Sequence, residues 1–161
     1  MNNNLFQIVT PIVSILSIFI SHYLGLRASK SKFKKDMLKH RYESVYVPYM
    51  LIIAKMPGIQ SKPISNPNVA IAINEITLKN IHLLGKNSAS YASQFYLDML
   101  DYFEYCDGNP NYSNAETNIN STFIEMSLEI LKEASHLSKE LNLPNIALTF
   151  YNEILKNHLY I

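Results

Sequence analysis

The chain has a single cysteine, Cys106, which excludes an intrachain disulfide and suits a reducing compartment. It has only four glycines, scattered through 161 residues, so no phosphate-cradling glycine loop exists. There is no Gly-x-Ser-x-Gly elbow, and no Cys-His pair that the sequence supports as a nucleophile and its base. Cys106 lies beside Asp107, an acidic setting that disfavours the thiolate and marks a structural thiol. The five histidines (His22, His40, His82, His136 and His158) show no metal-ligand spacing with one another or with Cys106. No catalytic constellation, metal site or cofactor is therefore expected, and no small-molecule substrate is evident. Charge is also unevenly missing: residues 1–26 contain no Asp, Glu, Lys or Arg.

What is present follows from that gap. Leu5 to Leu26 is a 22-residue uncharged run rich in Ile, Leu, Val and Phe. As a helix it reaches about 33 Å at 1.5 Å per residue, enough for a hydrocarbon core of roughly 30 Å. Residues 27–41 then hold Arg27, Lys30, Lys32, Lys34, Lys35, Lys39 and Arg41 against Asp36 alone, a net +6. The remaining 120 residues carry 7 lysines and 12 acids, a net −5. A cleaved signal peptide would place its positive charge before the apolar stretch, whereas here the charge follows it. Basic residues stay on the cytoplasmic side, so the expected topology is a short outer tail (1–4), a transmembrane helix (5–26), a basic juxtamembrane collar (27–41) and a cytoplasmic domain (42–161). The expected location is a bacterial cell membrane, crossed once.

Between Leu5 and Ser21, Gln7, Thr10, Ser14, Ser17 and Ser21 recur at spacings of 3, 4, 3 and 4, which places the polar groups of that stretch on one helical face. In lipid, helices associate through small residues and interhelical hydrogen bonds, so this face is expected to pack against another membrane helix, in a homo-oligomer or a membrane-protein partner. The alternative is that the hydroxyls bond back to their own backbone. The seven collar cations form a cluster of the kind that attracts anionic lipid, at about 1 kcal/mol per charge near the surface, besides serving as the topology signal. Nucleic acid is not an expected partner, because the collar lacks a recognition fold and the domain behind it is acidic.

The domain reads as all-α, a bundle of four to five helices. Leu38, Tyr42, Val45, Tyr49, Ile52 and Met56 form a helical stripe, with Pro48 removing the bond to Ser44 and kinking or dividing the helix. Pro57-Gly58 ends it, and Gln60 to Asn68 reads as a loop. Asn66 and Pro67 cap and open a second helix to about Leu84, expected to lie centrally, with Gly85 as its stop; its Val-Ala-Ile-Ala-Ile opening also reads as a strand. A third helix is expected from Ser88 to Tyr105. A fourth begins near Thr117 or with a Thr122/Glu125 capping box, its face being Ile119, Phe123, Met126, Ile130, Ala134, Leu137 and Leu141. Pro144 precedes the last helix, marked by Ile146, Phe150 and Ile154. Asp98, Asp101, Tyr102 and Tyr105 make an acidic, aromatic face, a candidate protein contact whose plainer reading is a solvated helix surface. Glycosylation sequons at Asn111 and Asn120 have no role in a cytoplasmic domain.

The order of neutral tail, span and collar, followed by Arg41-Tyr42-Glu43 and Val45-Tyr46-Val47-Pro48-Tyr49, resembles small single-pass proteins carried by prophages, among them superinfection-exclusion proteins. The resemblance covers about the first 55 residues and brings no site residues with it. It implies a non-enzymatic, membrane-anchored interaction protein that blocks DNA injection by related phages. A scaffold or regulatory subunit of an endogenous membrane complex is the first alternative, and a membrane-active toxin or holin-like protein the second.

Overall fold

The computed structural model describes residues 3–56 and 64–159; for 3–12, 14, 15, 158 and 159 it describes the backbone alone. Among the described residues all regular structure is helical. The elements are α1 (Asn3–Arg41), a π-helical turn (Tyr42–Tyr46), α2 (Val47–Lys55), α3 (Pro67–Lys79), α4 (Lys86–Cys106), α5 (Ala115–Glu140) and α6 (Ile146–Leu159), with 3₁₀ turns at Ile81–Leu83 and Pro110–Tyr112. The chain divides into two compact units, Met1–Leu38 and Lys39–Ile161.

The first unit is helical from Asn3, so the uncharged run and most of the collar share one helix. From Val13 to Met37 its described apolar side chains stand exposed on every side but that of Ser17 and Ser21, among them Leu16, Ile18, Phe19, Ile20, Leu24 and Leu26. Among the described residues no helix is long and apolar enough to cross a membrane. The expected span, 5–26, begins on residues whose side chains lie outside those described.

In the second unit, Pro48 explains the π turn. Pro48 has no N–H to offer the Ser44 carbonyl, and the ladder widens just before it, with the Val47 N–H donating to Tyr42 O, five residues back. The wider turn spends one extra residue. The inward face, expected at Ile52 and Met56, therefore moves to Met50 and Ile53, while Tyr42, Val45, Tyr46 and Tyr49 are buried.

The centre of the bundle is α5, which packs against α4, α6 and the π turn. Its expected stripe from Ile119 to Leu137 is buried throughout, and a second flank, Ile124, Ser127, Leu131, Ser135 and Ser138, is buried as well. The helix from Pro67 is peripheral instead of central: only Ala70, Ile73 and Thr77 of α3 are buried, and Ile71 faces out. Its Val-Ala-Ile-Ala-Ile opening is helical, capped by Asn66, whose side chain accepts from the Asn68 N–H at 2.8 Å.

Several boundaries differ from the expected ones for local reasons. α3 stops at Lys79, so Gly85 does not end it; Gly85 instead occupies the N-cap position of α4. α4 ends with Gly108 at φ 87 and the Asn109 N–H reaching back to Glu104 O, a Schellman-type cap. α5 starts at Ala115, which leaves Thr122 mid-helix, away from any cap. Its C-terminus repeats the Schellman arrangement with Asn142 at φ 56 in the glycine slot, one of the few non-glycine types that tolerates that conformation.

Asn120 ties Ile64, which precedes α3, to α5. Its amide accepts from the Ile64 N–H at 2.7 Å and donates to Ile64 O and, at 2.7 Å, to Glu116 O. Buried and fully engaged, it is no glycosylation acceptor. Asn120→Ala removes three bonds and leaves both backbone groups of buried Ile64 unpaired, an expected loss of about 2–3 kcal/mol. Denaturant unfolding of the variant checks this, and a loss below about 0.5 kcal/mol would contradict the clamp.

Candidate functional site

Two features of the second unit draw on residues far apart in sequence: a closed carboxylate cluster and an open apolar groove. The cluster centres on Glu133, at the edge of the buried stripe of α5. Its Oε2 accepts from Arg41 Nη2 at 3.0 Å, Tyr46 Oη at 2.6 Å and the Gly85 N–H at 2.9 Å, while Oε1 accepts from Ser88 Oγ at 2.7 Å. Gly85 and Ser88 belong to the N-terminal turn of α4, so Glu133 supplies that helix with a cap and a compensating negative charge. Gly85 lets the backbone approach: a Cβ there would sit 2.0 Å from Glu133 Oε1. Arg41 completes the knot by donating from Nε to Leu83 O, with its guanidinium 5.6 Å from the Tyr46 ring centroid. Burial pushes the Tyr46 phenol well above its ordinary pKa, and the bond to Glu133 and its charge add to the rise. All four donors and both oxygens are engaged. The arrangement is that of a fastener between the π turn, α4 and α5, not of a proton-transfer site.

Nearby, Tyr49 is fully buried and shares a 2.7 Å bond with Ser127 Oγ; burial raises its pKa strongly. Among the described residues no group of three or more His, Cys, Asp or Glu side chains is arranged to hold a metal ion.

The second feature is a groove of about 400 Å³ between α2 and the start of α6. Tyr42, Val47, Met50, Leu51, Ala54, Leu143, Pro144, Ile146 and Phe150 line it. Among the described residues no charged side chain contributes. Leu51 and Ile146 on its rim are each 56% exposed, far from the burial that large aliphatic side chains usually reach.

The structure treats the sequence-derived candidates unevenly. Gln7, Thr10 and Ser14 fall on side chains outside those described. Ser17 Oγ donates to Val13 O at 2.8 Å, the back-bonding alternative, and Ser21 is exposed. Arg27, Lys30, Lys32, Lys34 and Lys35 are exposed, as is Lys39, which lies 3.8 Å from Glu43. Arg41 departs from the collar: it is turned into the second unit and paired with Glu133, so it is not a lipid-facing cation. The four-residue face on α4 also comes apart. Asp98 is buried, accepting from Gln94 Nε2 at 2.8 Å and from the Thr122 hydroxyl, and Tyr102 is buried too. Only Asp101 and Tyr105 are exposed, Tyr105 with its ring 6.3 Å from that of Tyr102. The helical period accounts for this: residues 98 and 102 lie one turn apart, on the side of α4 that carries Phe95 and Met99 into the core.

Glu133, Gly85, Ser88 and Tyr46 escaped the sequence reading. A faint signal exists, since Glu133 is an acid between the buried positions Ile130, Ala134 and Leu137. The groove had a clearer one in Leu51, an apolar residue beside the stripe of its helix; Ile146, expected on the apolar face of the last helix, stands exposed on the rim instead. No protein-family model matches the chain, and no curated protein or solved structure matches it.

Proposed function

We propose that this chain is a membrane-anchored, non-enzymatic interaction protein, inserted once through residues 5–26 with the second unit on the cytoplasmic side. The observation that carries this reading is the exposure of Leu16, Ile18, Phe19, Ile20, Leu24 and Leu26 on every side but the serine face of one helix that turns basic at Arg27. An aliphatic surface over about two thirds of a helix's circumference is costly in water and at rest in lipid. The basic collar then sets the direction of insertion. The closed Glu133 cluster favours an interaction role over an enzymatic one, because its carboxylate is spent on packing.

The single cysteine makes a direct test. The Cys106 thiol is exposed, so a membrane-impermeant maleimide reports which side of the membrane it occupies. The expected result is a chain that resists carbonate extraction, stays unlabelled in spheroplasts and labels in inverted vesicles. Release by carbonate would overturn the anchor, and labelling in spheroplasts would overturn the orientation. Within this class the resemblance favours interference with phage DNA injection. Expression should then abolish plaques of some phages while adsorption stays normal; unchanged plaques across a broad panel would leave the endogenous scaffold reading in its place.

A further inference from the structure

We propose that the groove between α2 and α6 is a binding site for one long-chain fatty acid. Its lining is aliphatic and aromatic, with the Tyr42 ring at one end and Ala54 at the other. Ligand sites of this kind are concave, apolar and at least a few hundred Å³ in volume. At roughly 27 Å³ per methylene packed to protein density, 400 Å³ takes about fifteen carbons. That is one acyl chain, whereas a two-chain phospholipid needs about twice the space.

The charge next to the groove selects the head group. Along α2 there is no acid, and its one cation, Lys55, directly follows Ala54 of the lining. Lys55 is exposed and forms no ion pair among the described residues. A carboxylate at the Ala54 end therefore meets an ammonium, while the chain runs toward Tyr42 past Met50, Leu51 and Phe150. A peptide helix would instead bring polar backbone and side chains to a lining that offers no charged partner. The fatty acid matches both parts of the site.

The test uses the full chain in phosphatidylcholine nanodiscs and a palmitate analogue with a photoactivatable diazirine near its ω end. Cross-links are expected in the peptide holding Tyr42 and Val47, at the far end of the groove from Lys55, and excess unlabelled palmitate should suppress them. Ala54→Trp fills the groove from an exposed position and should lower these cross-links at least tenfold. Lys55→Glu leaves the groove open; it should lower capture of the acid probe at least fivefold and leave capture of the matching fatty alcohol unchanged. Cross-links confined to α1, or groove cross-links indifferent to Ala54→Trp, would overturn the proposal. Equal loss of acid and alcohol probes in Lys55→Glu would overturn the carboxylate assignment. Recovery of the chain with the nanodiscs reads the anchor separately, and a chain that stays outside them is labelled in solution with the same expected sites.

Discussion

Gly85→Ala is expected to destabilise the second unit by about 2–3 kcal/mol, and to cost almost nothing once Glu133 has been replaced by alanine. The backbone is not the obstacle, since Gly85 sits at φ −70 and ψ 167, where any residue is comfortable. The obstacle is the carboxylate, whose Oε1 and Cδ would lie 2.0 and 2.6 Å from the new methyl carbon. A free glutamate would swing aside at little cost. This one is held by Arg41, Tyr46, the Gly85 N–H and Ser88, so moving it sacrifices bonds in a partly buried site. Glu133→Ala alone should cost about 3–5 kcal/mol, because it strands a half-buried guanidinium and uncaps α4. With the carboxylate gone, the three atoms nearest the alanine methyl are gone and the clash term disappears. A double-mutant cycle measures this directly, with urea unfolding of the full chain in nanodiscs followed by tyrosine near-ultraviolet circular dichroism. Additive costs would mean that Gly85 and Glu133 act independently, and the account of the cluster would fail.

The helices were legible because the second unit follows the 3.6-residue period almost everywhere. The stripe from Ile119 to Leu137 is the clearest case, and it lies buried along the central helix. The stripe through α2 was legible as far as Tyr49 and failed beyond it, at Ile52 and Met56. Periodicity assumes a constant rise and turn, and the π turn from Tyr42 to Tyr46 breaks that assumption by one residue. The missing donor of proline was visible in the sequence; the choice between a kink and a widened turn was not, because tertiary packing of Tyr42, Tyr46 and Tyr49 decides it. A similar limit separated Arg41 from the collar. Seven cations in fifteen residues look alike by composition, and only the arrival of Glu133 from 92 residues away distinguishes one of them. The acidic face of α4 failed for a different reason. Asp98 is a carboxylate buried among hydrogen-bond donors on α4 and α5, and the donor that distinguishes it, Thr122, belongs to the next helix. Sites assembled between helices leave almost no local trace, which is why both the cluster and the groove emerged from packing and neither from a motif.

The buried tyrosines should make the second unit sensitive to alkali in a way that one substitution can dissect. Burial raises Tyr46 and Tyr49 strongly, and Tyr102 is pushed up to about 12, first by burial and then by the bond to Cys106 and its charge. In the unfolded chain each phenol titrates near 10. Above that pH the native state keeps protons that the unfolded state has lost, so the stabilisation is fully present below about pH 10 and is lost as pH rises toward the native values. Each group contributes up to about 1.4 kcal/mol per pH unit; Tyr46, Tyr49 and Tyr102 together give about 4 kcal/mol per pH unit between roughly pH 10 and 12, and Tyr42, which burial also raises, adds to the slope just above pH 10. Tyr49→Phe separates this from general alkaline damage. At neutral pH it removes one hydrogen bond, an expected loss of about 1 kcal/mol, and orphans nothing because Ser127 Oγ still donates to Phe123 O at 2.7 Å. Above pH 10 the variant has one group fewer to titrate, so its slope should fall by about 1.4 kcal/mol per pH unit. The two stability curves should then cross near pH 10.7, beyond which the variant is the more stable protein. Urea midpoints of both chains from pH 8 to 11.5 locate the crossing. Parallel curves would mean that Tyr49 ionises as readily in the folded chain as in the unfolded one, which its burial against Ser127 does not allow.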